Sequence, residues 1–312
     1  MTYSLGGLIQ ASDYNGFVGG NGGGANVSGQ LNTVLATGYG NAGYGQSAVS
    51  NVSIAGSVTA TQWSTLVAGV NVVRSHQAAF SNLSLYVAGT TINATTDVST
   101  NLSTAYTNRL AHAATGTVTT GANKTLNIVS ANTTDAVTAN QENTATFASA
   151  DQARYFFNAG GELRYVIASS VNTGATARGS SLGTLAVSGL GTKVFDGQNA
   201  AARTGTGYTV TTDQTTGAGY FGQTASYVTR CQITGGDAAY TSDFVRIQTK
   251  TNGAQGSNAD NGSIYYFYLT LNSAAQSPAF DDSIDMTVTY RIDVAAPSTT
   301  YLTASWGAVT IA

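Results

Sequence analysis

A chain of 312 residues with only twelve Lys or Arg and fifteen Asp or Glu has almost no charge with which to hold itself open in water. Charged side chains make up 9% of it, where roughly 25% is usual for globular domains. Disordered chains stay open because they are charged and poor in aromatics. This one is 42% apolar and 9% aromatic, so it must bury a core. Its surface must then consist largely of hydroxyls and amides. Such a surface feels little salt dependence and little repulsion between copies, which makes packing of identical subunits easy. A nucleic-acid binder needs clustered cations, and a net charge of −3 argues against one.

Other classes fall away on single features. One cysteine, Cys231, cannot form an internal disulfide. No apolar run reaches 18 residues, so no membrane insertion is expected. Met1–Gly6 has no basic segment and no long apolar core, so no secretory signal is expected. Glycine is abundant but lacks a three-residue period, and proline occurs only at positions 278 and 297, which excludes collagen. No repeat of 20 to 50 residues appears, so a solenoid is not expected.

Along the chain, residues 1–115 read as short helices between glycine-rich turns. Ser12-Asp13 offers an N-cap for a first helix and Ser28 for a second carrying Leu31, Val34 and Leu35. The clearest helix is capped by Thr59 or Thr61. Trp63, Leu66, Val67, Val70 and Val73 all fall on one of its faces. A further amphipathic helix starts near Asp97, with Val98, Leu102, Tyr106 and Leu110 spaced by four and Gly116 as its stop. Leu83–Val87 reads as a strand. Residues 116–148 are rich in Thr and Asn and read either as strands or as a connecting segment. From 149 to 312 the pattern is β-rich. Arg154–Phe157 is an apolar element, Asn158–Gly161 a turn and Glu162–Ile167 a strand. Further strands are expected at Ala225–Thr234, Asp243–Lys250, Ile264–Leu271, Ile284–Val294 and Tyr301–Ile311. The predicted fold is mainly β with short N-terminal helices (α+β), ending in an antiparallel β-sandwich.

No catalytic pattern stands out. His76 and His112, the only histidines, sit near predicted helix ends, where the ring serves as a C-terminal cap. Cys231 has no nearby histidine base and reads as a buried thiol. Asp281, Asp282 and Asp285 form the one acidic cluster; exposed turn carboxylates are preferred over a calcium site, because the spacing lacks a regular calcium loop. Glu142 and Glu162 are the only glutamates and share no glycosidase motif. Gly19–Gly24 and Gly38–Gly45 lack the Gly-Lys-Ser/Thr ending of a phosphate loop and read as turns. Tyr265, Tyr266, Phe267 and Tyr268 must place aromatics on both faces of a strand. One face would be core. The other would be a subunit interface, the preferred reading, or a glycan-stacking surface.

Several segments taken in order carry a resemblance. They are Gly7–Asn15, Val34–Gly38, Gly43–Gln46, Ile54 through Trp63, Arg74–Gln77, Arg154–Arg164, Pro297–Leu302 and Trp306-Gly307. Together they resemble virion structural proteins of tailed phages, especially those infecting cyanobacteria. Gly16–Gly24 interrupts what is usually a continuous helix in such proteins, so a broken first helix is expected. The resemblance implies a non-enzymatic, cofactor-free virion component of the tail, baseplate or neck, assembled in the host cytoplasm as a trimer or hexamer. Its partners would be copies of itself, other virion proteins and a host surface glycan, with no nucleic acid. The candidate core or interface residues are Trp63, Leu66, Val70 and Val73 in the helical part. In the β part they are Tyr155, Phe156, Phe157, Tyr266 and Tyr268.

Overall fold

The computed structural model describes residues 10–20, 26–89, 92, 94–131, 135–197, 219–235, 239–253, 262–275 and 282–312. Period-two alternation governs the β part. Along β7 (Phe244–Thr251), β8 (Ile264–Ser273) and β9 (Ile284–Pro297), buried residues alternate with half-exposed ones for most of each strand. Alternation of this kind buries one face of a sheet, and two such faces close on each other.

The first sheet contains β1 (Thr115–Thr119), β2 (Lys124–Ser130), β4 (Glu162–Asn172), β5 (Thr192–Phe195) and β9. The fourteen-residue β9 is its spine. It pairs with β4 on one side and with β2 and β1 on the other, always antiparallel. The second sheet runs β10 (Thr310–Ile311), β3 (Val137–Thr146), β8, β7, β6 (Val228–Thr234), again antiparallel throughout. Between the sheets lies an aromatic layer. Tyr165 stacks on Tyr290 at 5.6 Å and meets Phe267 at 5.6 Å, and Phe195 meets Phe267 at 5.1 Å. The mainly β, α+β architecture with sandwich-like sheets is the one expected.

The helical part packs on one flank. It contains α1 (Ala11–Val18), α2 (Leu31–Leu35), α3 (Ala60–Gln77) and α4 (Thr100–Thr107). Thr59 and Gln62 cap α3 reciprocally: Gln62 N–H donates to Thr59 Oγ1, and Thr59 N–H to Gln62 Oε1. Gly69 in mid-helix lets α2 approach, since a Cβ there would lie 2.6 Å from Leu31 Cδ2. The Gly38–Gly45 loop joins this part to α5 (Ala150–Asn158). Arg154 donates to the carbonyls of Thr37, Gly40 and Ala42, and Asn158 to those of Gly40 and Gly43. Gly43 has φ +97° and sits so tightly that a Cβ would lie 2.1 Å from the Thr37 oxygen. The buried apolar side chains form one continuous cluster from α1 to β9.

Several expectations need correction. Asp13 lies at the third position of α1, where its carboxylate accepts from Gln10 N–H, so Gln10 and not Ser12-Asp13 is the cap. Helix α1 runs through Gly16 and stops at Val18, with Gly19 at φ +78° as its C-cap, so the first helix does end within Gly16–Gly24 as expected. Gln30, not Ser28, precedes α2. Helix α4 follows a π-helical turn, Ala94–Ser99, and stops at Thr107, well before Gly116. Arg154–Phe157 lies on α5, capped by Ser149 Oγ, which accepts from Gln152 N–H. Leu83–Val87 forms no strand. The place of a partner strand is taken by α3 side chains: Asn71 grips both the N–H and C=O of Leu83, and the Ser64 hydroxyl donates to Tyr86 O. Tyr301–Ile311 is turns apart from β10, because Leu302 and Trp306 bury themselves singly. Helix α6 (Ala177–Thr184) and the π-helical turn Leu185–Leu190 fill a stretch that carried no expectation. Residues 115–146 carry β1, β2 and β3. Pro278, Asp281 and part of Gly19–Gly24 lie outside the described residues.

Candidate functional site

The Tyr265–Tyr268 run divides by alternation. Tyr265 and Phe267 are fully buried between the sheets. Tyr266 and Tyr268 project from the opposite face of the second sheet and are half-buried. Strand register decides what surrounds them. On β7, Lys250 lies opposite Tyr266, Gln248 opposite Tyr268 and Arg246 opposite Thr270. On β3 the facing residues are Thr144, Glu142 and Asn140. On β6, Thr229 faces Gln248 and Gln232 faces Arg246 across a bulge.

Tyr227, just before β6, leans over this face. Its ring lies 5.3 Å from that of Tyr268, and its hydroxyl donates to Glu142 Oε2. Burial, reinforced by the Glu142 carboxylate, pushes the Tyr227 phenol well above its ordinary range, so it stays a donor. Lys250 Nζ sits 4.4 Å from the Tyr227 ring centre and 4.7 Å from that of Tyr266. The Arg246 guanidinium lies 5.0 Å from the Phe244 ring centre. The result is a surface of rings, amides and two cations.

The remaining candidate residues separate from this face. Trp63, Leu66, Val70 and Val73 are buried on α3, and Phe156 and Phe157 are buried on α5 beneath Phe147. Tyr155 is half-buried with its ring against Gly45. None of these seven joins Tyr266 and Tyr268. Tyr227, Lys250, Arg246 and Gln248 escaped the sequence reading, and Glu142 entered it only as one of two glutamates without a motif, because register alone brings these residues together. Cys231 is buried. Asp282 accepts from the Tyr240 hydroxyl at 2.7 Å, while Asp285 is exposed. Among the described residues no three His, Cys, Asp or Glu side chains cluster as metal ligands, and no helix is long and apolar enough to cross a membrane.

The chain matches no family model, curated protein or solved structure.

The two histidines are buried where the helical part meets α5; His76 lies in the last turn of α3, as expected, whereas His112 follows the end of α4 by five residues. His76 Nε2 lies 3.1 Å from Ala159 O, which can only accept, so that nitrogen carries the proton. Its ring also meets Tyr44 at 5.1 Å. Burial, then the neighbouring His112, lowers its pKa from 6.5 to about 4. Between those values the unfolded chain binds a proton that the folded chain refuses. Stability therefore falls as pH drops from 6.5 toward 4 and levels off below, by about 3 kcal/mol in all. Urea unfolding of wild type and His76→Gln across this window tests it. A difference between the two that does not change with pH would remove His76 as the source.

Proposed function

We propose that this chain is a non-enzymatic structural component of a tailed-phage virion, a tail-associated fibre, baseplate or neck protein that assembles as a symmetric oligomer. The ordered resemblance along the sequence supports the virion assignment. One structural observation carries the assembly reading. Among the described residues, strand β2 pairs only with β9, and β3 meets the C-terminal segment only over Thr144–Thr146, leaving the rest of its edge open. These two open edges lie side by side, with Lys124 Nζ donating to Asn143 Oδ1 at 3.0 Å. Neither edge contains proline, and each contains a single charge, Lys124 and Glu142. Val129 on β2 is 61% exposed. Monomeric sheet proteins guard such edges with charge, proline or covering loops. An unguarded pair of edges on a weakly charged chain favours contact with other copies, multiplied by symmetry.

Native mass by light scattering tests this reading. The expected mass is three or six times the 31.7 kDa of one chain. Val129→Lys combined with Thr138→Pro on the two edges should shift it to one chain. A wild-type protein that stays at the mass of one chain at high concentration would defeat the assembly reading. Antibodies to the protein should label tail, baseplate or neck of particles that carry it, and labelling of none would defeat the virion reading. A second reading, a receptor- or glycan-binding tail-fibre module, is favoured by the tyrosine face.

A further inference from the structure

In a chain this poor in charge, the partner of each cation is informative. Among the described residues, Arg74, Arg109, Lys124, Arg154, Arg164, Arg178, Arg230 and Arg291 all donate to protein acceptors. Lys193 is engaged and buried, and Arg203 lies outside the described residues. Lys250 and Arg246 alone make no hydrogen bond or ion pair to a described residue; only aromatic rings hold them. Both stand on β7, on the same face, with Gln248 between them. Four residues of strand separate them by about 13 Å.

We infer that this face binds an extended acidic glycan, one that carries carboxylates at intervals along a chain of pyranose rings. Lys250 and Arg246 supply charge-assisted donors for two carboxylates. The ring hydrogens of the sugars, an apolar face, suit the half-buried Tyr266, Tyr268 and Tyr227 rings. Gln248, Gln232 and Asn140 offer amides to the hydroxyls. The two cations lie in line along β7, the direction an extended polymer would follow. Among the described residues, Glu142 is the one anion on this face, and its Oε2 accepts the Tyr227 hydroxyl. Two cations beside one carboxylate make this a locally positive surface on a protein of net charge −3, complementary to an acidic partner. A nucleic-acid backbone presents charge far more densely than two cations can neutralise, which disfavours it. The inference stands on this face alone and not on the virion reading.

The test uses the full-length protein and oligosaccharides of alginate, polygalacturonate, hyaluronan and polysialic acid. Neutral dextran and cello-oligosaccharides serve as comparison, with binding read by titration calorimetry. At least one acidic glycan should bind, no neutral one should, and affinity should fall as salt rises. Lys250→Met with Arg246→Gln should weaken binding roughly tenfold or more without changing circular dichroism. Tyr266→Ala should weaken it while preserving the salt dependence. The inference is overturned if no acidic glycan binds, if neutral glycans bind equally, or if the double variant binds as wild type does. It is also overturned if oligothymidylate binds more tightly than every glycan. A change in native mass in the double variant would assign the face to contact between copies and overturn it as well.

Discussion

Replacing Arg178 with methionine should remove about 3–5 kcal/mol of stability, the range for stripping one partner from a buried charged network. The side chain is fully buried on α6. Its Nε donates to Ser273 Oγ at 2.7 Å, and its terminal nitrogens donate to the carbonyls of Asp135, Ala274 and Asp282 at 2.7, 3.1 and 3.2 Å. Those acceptors belong to the approach to β3, the exit of β8 and the approach to β9, so one guanidinium fastens connections from both sheets. The buried Asp243 completes the network. It accepts from Ala274 N–H at 2.8 Å and lies within reach of the Ser273 hydroxyl. Burial pushes its carboxyl up, against the pull of those donors and of Arg178. Methionine fills similar volume but leaves the carbonyls of Asp135, Ala274 and Asp282 and the Ser273 hydroxyl without this donor, and takes away the cation that faces the Asp243 carboxylate. Lysine should recover only part of the loss, because a point charge cannot reach several acceptors at once. Urea unfolding measures both variants. A loss below about 1 kcal/mol for methionine would mean that water replaces the guanidinium at little cost.

Trp63→Ala should cost about 3–5 kcal/mol, the usual toll for truncating a buried aromatic. Trp63 lies edge-on to Tyr14 at 5.5 Å, Phe17 at 6.0 Å and Tyr86 at 6.3 Å, joining α1, α3 and the segment after α3. Its removal leaves a cavity between α1, α3 and the Tyr86 segment. The only other tryptophan, Trp306, is buried near the C-terminus and reports separately. Its fluorescence and the far-ultraviolet dichroism should unfold together, since the apolar cluster is continuous. Unchanged stability would show that this face of α3 is not core.

Strands β6 to β9 were legible because runs rich in β-branched and aromatic residues are set off there by Ser, Asn, Gly and Asp clusters. Helix α3 was legible because Trp63, Leu66, Val70 and Val73 recur at helical spacing beside a capping Thr59. Helix α5 was harder, since Tyr155-Phe156-Phe157 is apolar without period. Its real signal was Ser149 followed by Gln152, a capping pair. Leu83–Val87 has strand composition but no strand partner, and composition cannot see what lies beside a segment. The outward pair Tyr266 and Tyr268 followed from alternation alone. Lys250, Arg246 and Tyr227 did not, because the register that sets Lys250 opposite Tyr266 depends on how distant strands pair.

The position of β9 in the chain sets an order of events during synthesis. Strands β6, β7 and β8 are consecutive neighbours, and β3 precedes them, so the main strands of the second sheet can pair as soon as β8 has emerged. The first sheet cannot. Thr115 must wait for Pro297, and Lys124 for Tyr290. At ribosomal rates of about 5–20 residues per second, that wait is on the order of ten to thirty seconds. For that interval β1, β2 and β4 have no spine to join. Only when β9 has emerged can β2 and β4 find the strand that both of them pair with. A chain released before residue 284 would hold a formed second sheet facing an apolar half-layer with nothing to bind it.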